Sequence, residues 1–398
     1  MSTARAVPVT LSEQSRSSVA NSAGVNAIPW TIWSCVAGIS CALVGGTWDF
    51  AWHMSIGRDT FWIPPHLLAQ LGAFLAGISC VYVILDTTLR RDLRTRAFSV
   101  QVLGLQGPAG VFIALWGSLS MIASAPFDNW QHNAYGLDVT FATPPHMMLF
   151  VGSFAIMVGT GLRIASLINS SLPQALKRRL VWLFLYVGTT GVPPLTVIIA
   201  HERWLPNMHS ASCYLAIALA IPWWMIAWGR GSTHRWGCTI VGAIYTAGSL
   251  AAEWLLPLFP AEPKLGPVYH KVTHLIPLSF PLLLIVPAFV TDLLLQRLKQ
   301  RSWIKAVWIG PAFVLSFLAA QWPFANFLMS PASRNWIFGT AYFAYKDPAG
   351  ILYDPYQFQV AEKSLSAFLL TMAFALVAAF VTSWFGLAWG EGIRRARR

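Results

Sequence analysis

Apolar residues in this chain gather into ten long stretches, near residues 28–48, 62–86, 103–126, 142–168, 180–200, 212–229, 237–257, 273–296, 303–323 and 364–390. A helix needs about 20 apolar residues to cross the hydrocarbon core of a bilayer. Each stretch therefore predicts a transmembrane helix, and the chain an all-α polytopic membrane protein of about ten spans. Prolines within them (Pro193, Pro194, Pro222, Pro281, Pro287) are tolerable in membrane helices. Residues 1–27 are polar and Ser-rich with no apolar run, which predicts a disordered tail rather than a cleavable signal peptide. The longest connection, 324–363, holds an aromatic piece, 335–345, that reads as interfacial or re-entrant rather than as an eleventh span. The expected organisation is a tail (1–27), two transmembrane regions (28–229 and 230–390) and a basic end (391–398).

Composition agrees with the pattern. The 398 residues are 56% hydrophobic and only 11% charged, with a mean hydropathy of +0.56, whereas a soluble domain carries about 25% charged residues. The net charge of +12 is distributed by topology and does not mark a nucleic-acid partner. Alternate connections carry the clusters Arg90–Arg96, Lys177–Arg179, Arg230–Arg235, Arg297–Lys305 and Arg394–Arg398. The remaining connections hold only Arg58, Arg203, Lys264, Lys271, Arg334, Lys346 and Lys363 of the 27 Lys and Arg. Positive charge stays on the cytoplasmic side, so both termini are expected there. Histidine shows the opposite bias. Of the nine, only His234 falls on the basic side, so the outer face is expected to carry the chemistry.

That face contains a repeated motif. The stretch from Asp49 to His66 and the stretch from Asp128 to His146 both read D-x-x-x-H, three residues, G-x-D, an aromatic, then P-P-H. The first supplies Asp49, His53 and His66; the second supplies Asp128, His132 and His146, with one extra residue before its last His. Asp and His four apart project from one helical face, and the Pro pair suits the first turn of the next helix. A carboxylate and two imidazoles brought together in this way make a ligand set for a transition metal. The set is too nitrogen-rich for Mg²⁺ or Ca²⁺ and leaves copper, zinc and iron(II) open. Asp59 and Asp138, inside the two motifs, read equally as groups orienting an imidazole or as N-caps of the following helix.

Other polar groups are weaker signals. Glu253, His270, His274, His201 and His209 form a loose third set that reads as a further metal site or, more simply, as a polar outer layer tying loops together. Imidazoles lying beside carboxylates at the surface point away from haem. The five cysteines (Cys35, Cys41, Cys80, Cys213, Cys238) have no C-x-x-C spacing and read as buried apolar fillers.

The D-x₃-H-x₁₂-H spacing of Asp49, His53 and His66 resembles the copper motif in the C subunit of the copper membrane monooxygenases, the particulate methane and ammonia monooxygenases. Asp128-x₃-His132-x₁₃-His146 matches the spacing of that subunit's second motif, with Asp128 where the family has Asn. More faintly, 230–390 resembles the family's A subunit, through Glu253–Trp254, Phe280–Pro281, Pro287–Ala288, Asp292, Gln321–Trp322–Pro323 and the aromatic piece at 335–345. The resemblance implies a bacterial inner-membrane protein with copper on its periplasmic side, oxidising a small apolar substrate with O₂. It also implies a homotrimer and, since no cupredoxin-like region is seen here, a cupredoxin-like periplasmic partner subunit. The residues alone leave two rivals, a non-catalytic copper-transfer protein and a metal-free transporter working through Asp–His pairs.

Overall fold

The computed structural model describes residues 27–57, 62–89, 99–136, 142–201, 208–264, 272–328, 330–338, 362 and 364–396. Its helices, in chain order, are α1 (Trp30–Ser55), α2 (Pro64–Leu89), α3 (Ala109–Tyr135), α4 (Pro144–Ile168), α5 (Gln174–Thr190), α6 (Val192–His201), α7 (Ala211–Ala220), α8 (Pro222–Gly231), α9 (Gly237–Leu255), α10 (Ile285–Arg297), α11 (Ser302–Leu328) and α12 (Leu365–Arg395). Two strands, β1 (Val100–Val102) and β2 (Leu105–Gly107), pair as an antiparallel hairpin. Its turn places Leu103 and Gly104 at positive φ, as a two-residue hairpin turn requires. The third apolar stretch thus becomes helical only at Ala109, and runs on to Tyr135.

Among the described residues, nine helices are long and apolar enough to cross a membrane, counting α5–α6 and α7–α8 as one span each. The protein is an all-α, multi-pass membrane protein. The expected eighth helix is the exception. Residues 275–283 are not helical, and only α10 is. Pro277 and Pro281 have no N–H to give a helix and clash with the preceding turn. The segment still runs the length of α9 in the opposite direction. Leu275 N–H donates to Phe259 O, just past the end of α9. Leu282 N–H donates to the Tyr245 hydroxyl in its middle. Asp292 accepts from the Cys238 and Thr239 amides at its start, serving as a cap donated by a neighbouring helix. The crossing is made by extended chain followed by half a helix. Ser55 Oγ and Gln321 Oε1 accept from the amides of Ile276 and Leu283, so side chains from other elements satisfy part of the extended backbone.

The first two hairpins are copies of one unit. α3 begins 79 positions after α1, and α4 begins 80 after α2. One close helix crossing recurs with the same offsets. A Cβ on Gly38 would lie 2.5 Å from Gly72 O, and a Cβ on Gly117 would lie 2.5 Å from Gly152 O. In lipid no hydrophobic force drives one apolar helix against another, so small residues that let backbones approach hold such pairs. The duplicated motif is therefore the tip of a duplicated fold. The main core lies beyond it, around Trp224, Trp228, Phe184, Tyr214, Phe313 and Phe317, all fully buried.

Candidate metal centre

Each motif spans the tip of one hairpin. α1 carries Asp49 and His53 on successive turns, then ends in Ile56 and Gly57, the latter at φ 93°. α3 carries Asp128 and His132 and ends in Gly136 at φ 84°. A left-handed residue closing a helix is usually glycine, which accounts for the motif's invariant Gly. The Pro pairs open α2 and α4, placing His66 and His146 in their first turns.

In both hairpins the aspartate lies close to both histidines, but all three ligand atoms gather within 4.8 Å only in the first. Asp49 Oδ1 lies 3.2 Å from His53 Nε2 and 2.9 Å from His66 Nε2. Ligand atoms of the three residues all fall within 4.8 Å of one another. In the second hairpin Asp128 Oδ1 lies 3.4 Å from His132 Nε2 and 3.6 Å from His146 Nε2. Ligand atoms about 2.1 Å from a tetrahedral ion stand about 3.4 Å apart, and these separations bracket that figure. Asp49 Oδ1 and Asp128 Oδ1 are both buried without a hydrogen-bond partner, although each faces two imidazole nitrogens. A carboxylate oxygen in that position fits a cation between it and the rings. The donor set, one oxygen and two nitrogens, suits a borderline transition ion such as copper or zinc.

The two sites differ behind the ligands. In the second, His132 Nδ1 bonds Gly136 O at 3.1 Å and His146 Nδ1 bonds Thr143 Oγ1 at 3.0 Å. Both rings are thereby turned with Nε2 toward Asp128, the usual way a supporting shell fixes a ligand imidazole. In the first site, His53 Nδ1 is buried without such a bond, and the position matching Thr143 is the buried Ile63. Sequence reasoning passed over Thr143. The signal available was a hydroxyl three residues before a ligand His. The expected supporting residues Asp59 and Asp138 lie outside the described residues.

The third cluster does not assemble among the described residues. His209 is buried, bonds Asn326 through Nε2 and packs edge-on to Trp322 with ring centroids 4.8 Å apart. Burial holds its imidazole below the usual pKa, against the opposing pull of its hydrogen bonds to Asn326 and Trp322. His274 bonds Thr273 through Nδ1. Glu253, on α9, is buried with neither oxygen hydrogen-bonded. His270 and the side chain of His201 lie outside the described residues. The group at Asp49 is the only set of three metal-ligating side chains gathered within 4.8 Å among the described residues.

A second feature adjoins the first site. A cavity of about 960 Å³ is walled by Trp48 and Trp52 of α1, Thr190 and Thr196, Tyr245 and Gly248 of α9, and Phe280 and Pro281 of the extended crossing. Trp48 and Trp52 bracket Asp49 on the same two turns of helix. Aromatic and aliphatic walls with a few hydroxyls are the usual lining of a small-molecule site. No family model, curated protein or solved structure matches this chain.

Proposed function

We propose that the protein is a copper-binding membrane protein that oxidises a small apolar substrate with O₂, as the resemblance of its two motifs to the copper membrane monooxygenases implies. The observation that supports this most is the convergence, at equivalent points of two duplicated hairpins, of one buried carboxylate oxygen on two imidazoles. Asp49, His53 and His66 would hold one ion; Asp128, His132 and His146 would hold the other. Bound copper supplies the redox chemistry. The chain contributes the rest. The hairpin tips fix ligand direction, Thr143 and the Gly136 carbonyl set which nitrogen faces the ion, and the cavity beside Trp48 and Trp52 gives an apolar substrate a largely apolar place beside the first site. On this reading the tips face the periplasm of a bacterial inner membrane.

Copper transfer is the second reading. The ligands are partly open to solvent, with His53 and His66 side chains 28% and 23% exposed, and an exchanging ion needs such access.

The deciding experiment is metal content by mass spectrometry on protein purified from membranes, comparing wild type with His53→Ala/His66→Ala and His132→Ala/His146→Ala. One to two coppers per chain, lost separately in the two double variants, is the expected result. Copper resistant to a chelator and reactive with O₂ favours oxidation, and labile copper favours transfer. Absence of metal after copper loading sinks both.

A further inference from the structure

Away from the hairpin tips, α1, α2, α3 and α4 enclose a second chamber of about 20 Å³, lined among others by Cys35, Ser79, Cys80, Thr160 and Arg163. One water or one ion needs about 10–15 Å³, so the chamber holds a single small species. Cys35 Sγ lies 4.0 Å from Cys80 Sγ and 3.2 Å from Ser79 Oγ. Thr160, only 3% exposed, has a buried hydroxyl with no hydrogen-bond partner. Arg163 lines the same void, and no carboxylate pairs with it among the described residues. Two thiols, an unsatisfied hydroxyl and a guanidinium around a void are more than apolar filling demands.

We propose that Cys35 and Cys80 form a site for one soft monovalent metal ion of the Cu(I) class, held between two thiolates with Arg163 as the counter-charge. The geometry fits. Metal–sulfur bonds of about 2.3 Å drawn from both ends of the 4.0 Å gap meet at about 120°, leaving a third, weak position for a hydroxyl. The charges also balance. Binding is M⁺ + 2 RSH → [M(SR)₂]⁻ + 2 H⁺, and the resulting anion is neutralised by Arg163, which matters where an unpaired charge is costly. A divalent ion would leave a net positive charge there, and paired thiolates select soft ions over hard ones. This site is independent of the Asp–His–His sites, being nitrogen-free and on the opposite side of Gly38 along α1.

The test uses the full chain purified from membranes, stripped of metal and titrated anaerobically with Ag(I), a soft probe that does no redox chemistry under these conditions. Retained silver is counted after desalting, in a His53→Ala/His66→Ala/His132→Ala/His146→Ala background. The parent should keep one silver more than the same protein carrying Cys35→Ser or Cys80→Ser, while Cys41→Ser changes nothing. Arg163→Gln should weaken retention roughly tenfold or more, as loss of a supporting group does, with Arg163→Lys closer to the parent. X-ray absorption at the silver edge of the Cys41→Ser protein needs no cavity variant to fold, and should show two Ag–S bonds. Equal retention by parent and Cys35→Ser, a shell without sulfur, or a Cys35–Cys80 disulfide in place of bound silver would overturn the proposal.

Discussion

Asp49 and His66 belong to different helices, yet Asp49 Oδ1 lies 2.9 Å from His66 Nε2. Close backbone approaches hold α1 against α2 both far from these residues, where Gly38 crosses Gly72, and one turn away, where Gly45 meets Pro65 and Ala69. Gly72→Val should therefore lower metal content at the first site without touching a ligand. Overpacking costs about 1–3 kcal/mol, so the melting temperature should fall as well. Gly152→Val should do the same to the second site only. Gly46→Ala is the control, since a Cβ there meets nothing within 4 Å. Metal stoichiometry and thermal unfolding read all three.

The supporting bond from Thr143 to His146 predicts an asymmetry between the sites. Thr143→Val should weaken metal binding at the second site about 10–100-fold and leave the first unchanged. Competition with a chelator of known affinity measures both.

Filling the cavity separates substrate from metal. A Cβ on Gly248 meets open space, so Gly248→Phe should fold, retain wild-type copper and occupy room that an apolar substrate would use. A higher KM for oxidation of an apolar substrate at unchanged metal content is expected. Unchanged kinetics would remove the cavity from the reaction.

Ser55 links the first hairpin to the extended crossing. Its hydroxyl donates to Ala51 O and accepts from Ile276 N–H at 2.7 Å. Ser55→Ala leaves a buried amide unsatisfied, at a cost of about 1–3 kcal/mol, and Ser55→Thr should restore it. Thermal unfolding, with proteolysis mapped to 272–284, tests the pair.

Much of this was legible in the sequence because membrane helices and motif spacing are local signals. Asp49, His53 and the Pro pair before His66 place their side chains by helical geometry alone, and the structure brings the ligands together as that geometry requires. The eighth crossing was misread because hydropathy counts apolar residues from 273 to 296 alike and does not ask who receives the amides of Ile276, Leu282 and Leu283, which flank Pro277 and Pro281. Their acceptors, Ser55, Tyr245 and Gln321, are far away in the chain. Among the described residues the members of the loose third cluster are not gathered into one group. Proximity to one membrane surface does not place His209 and His274 together, and each found a nearby partner instead. The Cys35–Cys80 chamber depends on four helices meeting, which no spacing rule reports.

The dependence of the extended crossing on distant acceptors also sets an order of events during synthesis. Ser55 and Tyr245 are made before residues 275–283, but Gln321, which receives the Leu283 amide, follows it by 38 residues. At about 5–20 residues per second, the ribosome takes about 2–8 s to produce that acceptor. During this interval the newly made segment has neither the internal bonds of a helix nor its full set of partners. The Leu283 amide gains its native acceptor only once Gln321 of α11 is made.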